Sequence, residues 1–219
     1  MPRALARPIT YLITGGETSS STRPGGEEFG RLLALVRSAV EARVTLVQLR
    51  EKDLTGRALY ELARAAADLA RGSATRVLVN DRADVARASG CDGVHLTTDS
   101  LEASAVRRAF GEDFLIGVSA HAPGEAREAR AGGADFAVFG PVFDTPSKRA
   151  YGAPVGLESL REAARSLSPF PLVALGGVGE SNAAEVMRAG AAGVAGIRLF
   201  AAEQNLARTV HLIESLGAA

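Results

Sequence analysis

The apolar positions of this chain come in two textures. Short runs with little internal polarity recur at residues 9–14, 44–49, 76–80, 93–96, 115–119, 136–139, 172–175 and 193–197. Val, Ile and Leu dominate several of them. Runs of this length without strict polar alternation read as strands buried on both faces. Between them lie longer segments rich in Ala, Arg and Glu, with apolar residues at helical spacing. In residues 29–42, Leu32, Leu33, Leu35, Val36 and Val40 form one apolar face. Further helices are expected near 55–71, 83–88, 100–110, 123–131, 157–167, 182–189 and 203–216. Thr55 is placed to cap the second helix and Gly72 to stop it.

Strict alternation of strands and helices calls for a parallel sheet covered by helices. Eight such units point to an α/β fold, a closed (β/α)8 or TIM barrel, here a single domain over residues 1–219. An open doubly wound sheet is the alternative. Its usual Gly-x-Gly-x-x-Gly turn after the first strand is absent, since Gly15-Gly16 lacks the spacing. Residues 15–26 are dense in Gly, Ser and Thr and read as a flexible loop. Both a mobile lid and a plain surface loop fit that composition. A second long loop is expected over 140–154.

Composition narrows the function. The chain balances 25 basic against 25 acidic residues, whereas nucleic-acid and membrane-surface proteins usually show a basic excess or stripe. The reading is therefore no nucleic-acid partner and no membrane partner. Cys91 is the one cysteine, so an intrachain disulfide and a Cys-based zinc site are excluded; it reads as a small core residue. The three histidines are far apart and offer no ligand spacing. No apolar run reaches membrane-spanning length and the N-terminal residues lack an apolar signal core, so a cytoplasmic location is expected. Oligomeric state stays open, a homo-oligomer included.

In a barrel the chemistry sits at the carboxyl ends of the strands, and there the polar residues collect. Gln48, Arg50 and Lys52 would share a face if strand geometry persisted that far. Two cations there suit an anion such as a phosphate, although a strand leaving the core into a charged loop looks the same. Asn80, Asp81 and Arg82 follow the third strand; Thr97, Thr98, Asp99 and Ser100 the fourth; Ser119 and His121 the fifth; Thr145, Ser147 and Lys148 the sixth; Gly176 and Gly177 the seventh; Arg198 the eighth. Gly176-Gly177-Val178 is a turn whose bare N–H groups can face a phosphate, and equally a tight turn needing positive φ. Arg198 would lie beside it. Asp81 would ligate a magnesium ion bridging pyrophosphate oxygens, or serve as a helix cap or Arg partner.

Six motifs in order, Val47-Gln-Leu-Arg-Glu-Lys52, Val79-Asn-Asp-Arg82, Asp92-Gly-Val-His-Leu96, Gly117-Val-Ser-Ala-His121, Gly140-Pro-Val-Phe-Asp-Thr-Pro-Ser-Lys148 and Ala174-Leu-Gly-Gly-Val178, resemble the thiamine phosphate synthase/TenI family. The resemblance runs from about Ile9 to Phe200. It implies a (β/α)8 barrel and the coupling of 4-amino-2-methyl-5-pyrimidinylmethyl pyrophosphate with a thiazole phosphate, assisted by Mg²⁺. Carried over residue by residue, it implies that Gln48, Arg50, Lys52 and Asn80 hold the pyrimidine pyrophosphate. Ser119 and Lys148 would meet its pyrophosphate, and Thr145 and Ser147 the thiazole phosphate. Gly177 and Ile197 would complete that phosphate pocket, and Asp81 would bind Mg²⁺.

The chain departs from the family in three places. The usual Gly-Gln-Glu-Asp turn reads Thr97-Thr-Asp-Ser100 here, so Ser100 stands at a Mg²⁺ ligand position and Asp99 one residue early. Ser147 replaces a usual Thr, and Arg198 replaces a usual Ser. The TenI branch is the alternative, a thiazole tautomerase that needs no metal and uses a His where His121 stands. A third reading is a non-catalytic binder of a phosphorylated thiamine precursor.

Overall fold

The computed structural model describes residues 5–144 and 153–217. Strands and helices alternate as β1 (Ile9–Ile13), α1 (Glu27–Glu41), β2 (Leu46–Leu49), α2 (Gly56–Ala70), β3 (Arg76–Asn80), α3 (Ala83–Ser89), β4 (Gly93–Leu96), α4 (Ala103–Phe110), β5 (Leu115–Ala120), α5 (Pro123–Ala131), β6 (Phe136–Phe139), α6 (Gly156–Leu167), β7 (Leu172–Ala174), α7 (Ala183–Arg188), β8 (Gly193–Gly196) and α8 (Leu206–Gly217). The strands pair in chain order, all parallel, and β8 closes onto β1. This is the expected (β/α)8 barrel.

Strand pleating sends alternate residues to opposite sides, which gives the barrel two cores. Ile9, Tyr11, Ile13, Leu46, Leu78, Phe136, Val138 and Val173 pack inside it. Val47, Val77, Val79, Val94, Phe139 and Val194 face outward onto helix residues such as Val36, Leu62 and Leu160. Most strand positions are thus buried on both faces, β3 and β5 being half-buried only at some positions, which is why the runs lack polar alternation. Thr55 caps α2 as expected, its hydroxyl accepting the Ala58 N–H at 3.3 Å. Cys91 is buried, and burial pushes its thiol up to about 11. At the amino-terminal end of the strands Arg107 bridges to Asp135 at 2.8 Å. Asp135 also accepts the Ile116 N–H at 2.7 Å. Such contacts at this end of a barrel belong to stability.

Three expectations need correction. Helix α4 starts at Ala103 rather than near Ser100, because the Ser100 hydroxyl accepts the Thr97 N–H at 2.8 Å and closes a separate turn. The last helix starts at Leu206, preceded by 3-10 turns at Arg198–Phe200 and Glu203–Asn205. Strand β2 stops at Leu49, so the pleat does not carry Gln48, Arg50 and Lys52 onto one face.

The interior leaves little room. A Cβ added to Gly117 would stand 2.4 Å from Cζ of Phe136, whose ring packs edge-on against Tyr11 at 5.6 Å between centroids. Gly117→Ala should therefore lower stability by about 1–3 kcal/mol through overpacking. Urea unfolding measures this, and a change within about 0.5 kcal/mol would mean that Phe136 moves freely.

Candidate active site

At the carboxyl end of β2 the chain turns polar in three directions. Gln48 points into the barrel and is 1% exposed. Arg50 is half-buried and Lys52 exposed. Among the described residues, neither Arg50 nor Lys52 forms an ion pair. Unpaired cations at one strand end leave their charge available to an anion.

Glu51, between them, is only 3% exposed. Its carboxylate accepts from Thr14 Oγ1 at 2.5 Å, Gly16 N at 3.2 Å, Thr18 N at 3.3 Å and Thr18 Oγ1 at 2.8 Å. Thr14 Oγ1 in turn accepts the Arg50 N–H at 2.8 Å. A buried carboxylate needs donors to replace its lost water, and the loop after β1 supplies them. Glu51 therefore fixes both that loop's start and the backbone that presents Arg50.

Inside the barrel a chain of polar groups crosses four strands. Gln48 Nε2 donates to Tyr11 Oη at 2.8 Å. Tyr11 Oη lies 3.2 Å from His95 Nδ1, and His95 Nε2 lies 3.0 Å from Ser119 Oγ. Tyr11 and His95 are buried while Ser119 is half-buried and reaches the rim. Burial first, and the Arg50 charge second, hold His95 down at about 3, so the imidazole is neutral. Burial raises the Tyr11 phenol well above its usual range. Beside His95 in the β3–β4 register stands Asn80. Its Oδ1 is buried and has no hydrogen-bond partner, a costly state that a bound donor would relieve.

Asp81 follows with a left-handed backbone, φ 63°, and its N–H donates to the His95 carbonyl. Among the described residues its carboxylate accepts no hydrogen bond and forms no ion pair, although the Arg82 charge acts on it from beyond contact. Arg82 does not pair with it: both guanidinium contacts, at 2.8 and 2.6 Å, go to Asp84. Asp99 is likewise exposed and unpaired, whereas the Ser100 hydroxyl is committed to its own turn. No cluster of three or more His, Cys, Asp or Glu gathers around one point among the described residues.

Gly176 and Gly177 have φ of 96° and 66°. A Cβ at Gly176 would meet Pro141 Cβ at 2.4 Å, and one at Gly177 would meet Phe143 Cβ at 2.7 Å. The pair therefore lets the loops after β6 and β7 touch. The N–H groups of Gly177 and Val178 have no acceptor among the described residues. Ile197 and Arg198 lie exposed beyond β8, and Arg198 forms no ion pair among the described residues. His121 is anchored through Nδ1, 2.5 Å from the Gly140 carbonyl. A carbonyl only accepts, so the proton is on Nδ1 and Nε2 is left free. Thr145, Ser147 and Lys148 lie outside the described residues.

A cleft of about 600 Å³ opens off this rim between α4 and α5, lined by Leu96, Ser100, Leu101, Val118 and Ser119 together with Glu102, Glu125 and Glu128. Three carboxylates in its wall would repel a phosphate. Ser100 and Ser119 border both this cleft and the rim, while Arg50, Lys52 and the Gly177 turn lie outside it, around the strand ends.

Sequence reading therefore located the exposed cations, carboxylates and glycines. It missed Tyr11, His95 and Glu51 as members of the site. The parity of Gln48 gave a hint, because an inward Gln in a dry barrel needs an inward partner.

A family model described as thiamine monophosphate synthase matches residues 11–200. A thiamine-phosphate synthase of Moorella thermoacetica is 44% identical over 175 residues, covering 80% of this chain and 81% of its own. One from Roseiflexus castenholzii is 39% identical over 195 residues, covering 89% and 82%. Among solved structures, a thiamine phosphate pyrophosphorylase from Pyrococcus furiosus matches with TM-score 0.76 and 30% identity, covering 93% of this chain and 95% of its own.

Replacing Glu51 by Ala should free the amides of Gly16 and Thr18 and cost about 1–3 kcal/mol, because the buried donors of Thr14 and Thr18 lose their acceptor. Hydrogen exchange resolves it: protection at both amides should fall in Glu51→Ala and partly return in Glu51→Gln. Unchanged protection would mean the loop is held by other contacts.

Proposed function

This chain belongs to the thiamine monophosphate synthase family, and we infer from that premise that it is an enzyme of that type. It is a transferase that joins 4-amino-2-methyl-5-pyrimidinylmethyl pyrophosphate to a thiazole phosphate. Thiamine phosphate and pyrophosphate are the products. The C–O bond to pyrophosphate breaks, and a C–N bond forms from the thiazole nitrogen to the same carbon. Little proton transfer is needed, whereas much negative charge must be held on the leaving group.

One observation supports the reading most strongly: two separate anion-receptive positions share one rim. Among the described residues, Arg50 and Lys52 offer unpaired cations after β2, and Gly177 and Val178 offer N–H groups without an acceptor after β7. A reaction between a pyrophosphate and a phosphate needs two such positions. In this proposal Gln48, Arg50, Lys52 and Asn80 hold the pyrimidine substrate, and the orphaned Asn80 Oδ1 takes a donor from it. Ser119 and Lys148 meet the pyrophosphate. Thr145, Ser147, Gly177 and Ile197 take the thiazole phosphate, and Arg198 adds a bidentate grip where relatives usually carry a hydroxyl.

The donor set also fits a magnesium ion. Mg²⁺ is usually held by one or two carboxylates plus substrate oxygens rather than by a protein cage. Asp81 and Asp99, both exposed and without an ion pair among the described residues, would hold it, and Ser100 would contribute weakly. When bound, the ion supplies positive charge to the departing pyrophosphate. A second reading rests on His121, whose free Nε2 suits the proton transfer of a thiazole tautomerase. His121→Ala should leave coupling largely intact and remove any such tautomerisation.

The test is the coupling reaction itself, run with Mg²⁺ and with EDTA. Thiamine phosphate should form with the metal and not with the chelator. Absence of product under both conditions would reject the synthase reading. Arg50→Ala and Lys148→Ala should each lower kcat/KM by about 100-fold or more while folding normally; full turnover in both would remove the pyrophosphate assignment. Ser100→Asp should lower the Mg²⁺ concentration needed for half-maximal rate. An unchanged requirement would leave that ligand role to Asp99.

A further inference from the structure

We infer that His95 is a positioning residue for the reaction: the buried chain from Gln48 through Tyr11 and His95 turns the Ser119 hydroxyl hydrogen outward, towards the leaving pyrophosphate. This rests on the reading that Ser119 meets that group. The argument is one of hydrogen-bond direction. Gln48 approaches Tyr11 through its amide nitrogen at 2.8 Å, which can only donate. The phenol oxygen is then an acceptor from Gln48, and its own hydrogen is free for His95 Nδ1 at 3.2 Å. A phenol is also a better donor than acceptor towards a neutral imidazole. With Nδ1 accepting, the single proton of the neutral ring must sit on Nε2.

Nε2 therefore donates to Ser119 Oγ at 3.0 Å. A serine that accepts on its inner side keeps its hydrogen for its outer side, and Ser119 is the half-buried end of the chain. An outward donor is what an anionic oxygen requires. In the opposite sense, every donor would point inward and Ser119 would show only lone pairs to the pyrophosphate, which repels them. No carboxylate hydrogen-bonds the His95 ring, so nothing nearby favours a second ring proton. The ring is wedged between Tyr11 and Phe136, with centroids 5.8 and 6.3 Å away, so its orientation is held by packing as well.

Two measurements test this. Nitrogen-15 NMR of the His95 imidazole in the intact protein at neutral pH reads the tautomer directly. Nε2–H is expected, with loss of that bias in Tyr11→Phe; an Nδ1–H ring in the unmodified protein would overturn the inference. The second is a double-mutant cycle of Tyr11→Phe with Ser119→Ala. Tyr11→Phe keeps the ring that packs in the core, so the fold should survive. It should lower kcat about tenfold, the scale of one misdirected hydrogen bond, with KM for the thiazole substrate unchanged. The double variant should be no slower than Ser119→Ala alone. Multiplying losses would show that Tyr11 acts by another route and would overturn the positioning role. The imidazole spectrum needs no turnover. A protein that made no thiamine phosphate but held Nε2–H would thus reject the substrate assignment while retaining the directed chain.

Discussion

Every second residue of eight parallel strands must point into a closed interior, and that constraint organises this molecule. The interior excludes water, so an inward polar group must find its partner among other inward groups. Low in the barrel the difficulty is avoided with Ile9, Leu46, Leu78, Phe136 and Val173. Near the carboxyl ends of the strands the sequence places Gln48, His95 and Ser119 inward instead, together with Tyr11. They satisfy one another in a single line. A fully paired buried chain is rigid and holds its last member in place, so the packing rule of the barrel also sets the floor of the site.

The rim above that floor follows a different rule. Charges there stay in contact with water: among the described residues Arg50, Lys52, Asp81, Asp99 and Arg198 form no ion pair and keep their valence for something else. Where the chain does pair charges, as in Arg107–Asp135 and Arg82–Asp84, the contacts lie at the opposite end or outside the ring of strand ends. Glu51 links the two regimes. It is a charge buried by design, with its donors drawn from the loop after β1, and it fixes the backbone next to Arg50. A coupling reaction that transfers little proton but develops much negative charge suits a site built of fixed donors and free cations.

Much of this was legible in the sequence, for definite reasons. Strands buried on both faces leave unbroken apolar runs, so β3, β4 and β6 were read with their observed limits. The helix expected from about Ser100 begins later, at Ala103. The Ser100 hydroxyl caps the Thr97 turn instead, a local hydrogen bond that spacing does not reveal. Exposed cations and glycines announce themselves by residue type. Tyr11 and His95 did not, because each sits inside an apolar run where an aromatic or a lone His is ordinary core. Tyr11 pairs in register with Leu46, one inward position below Gln48, and only the reach of its phenol brings it to Gln48 and His95. Glu51 was hidden for the opposite reason: between two cations it reads as one more solvated charge.

The most direct measurement of the central claim is a crystal structure grown with thiamine phosphate, pyrophosphate and Mg²⁺. The account predicts the pyrophosphate at the ends of β2, β3 and β5, touching Arg50 and Ser119. It predicts the thiamine phosphate group at Gly177, with Arg198 turned onto it. Density for either anion against Glu102, Glu125 and Glu128 of the cleft between α4 and α5, with Arg50 and Gly177 uncontacted, would contradict it.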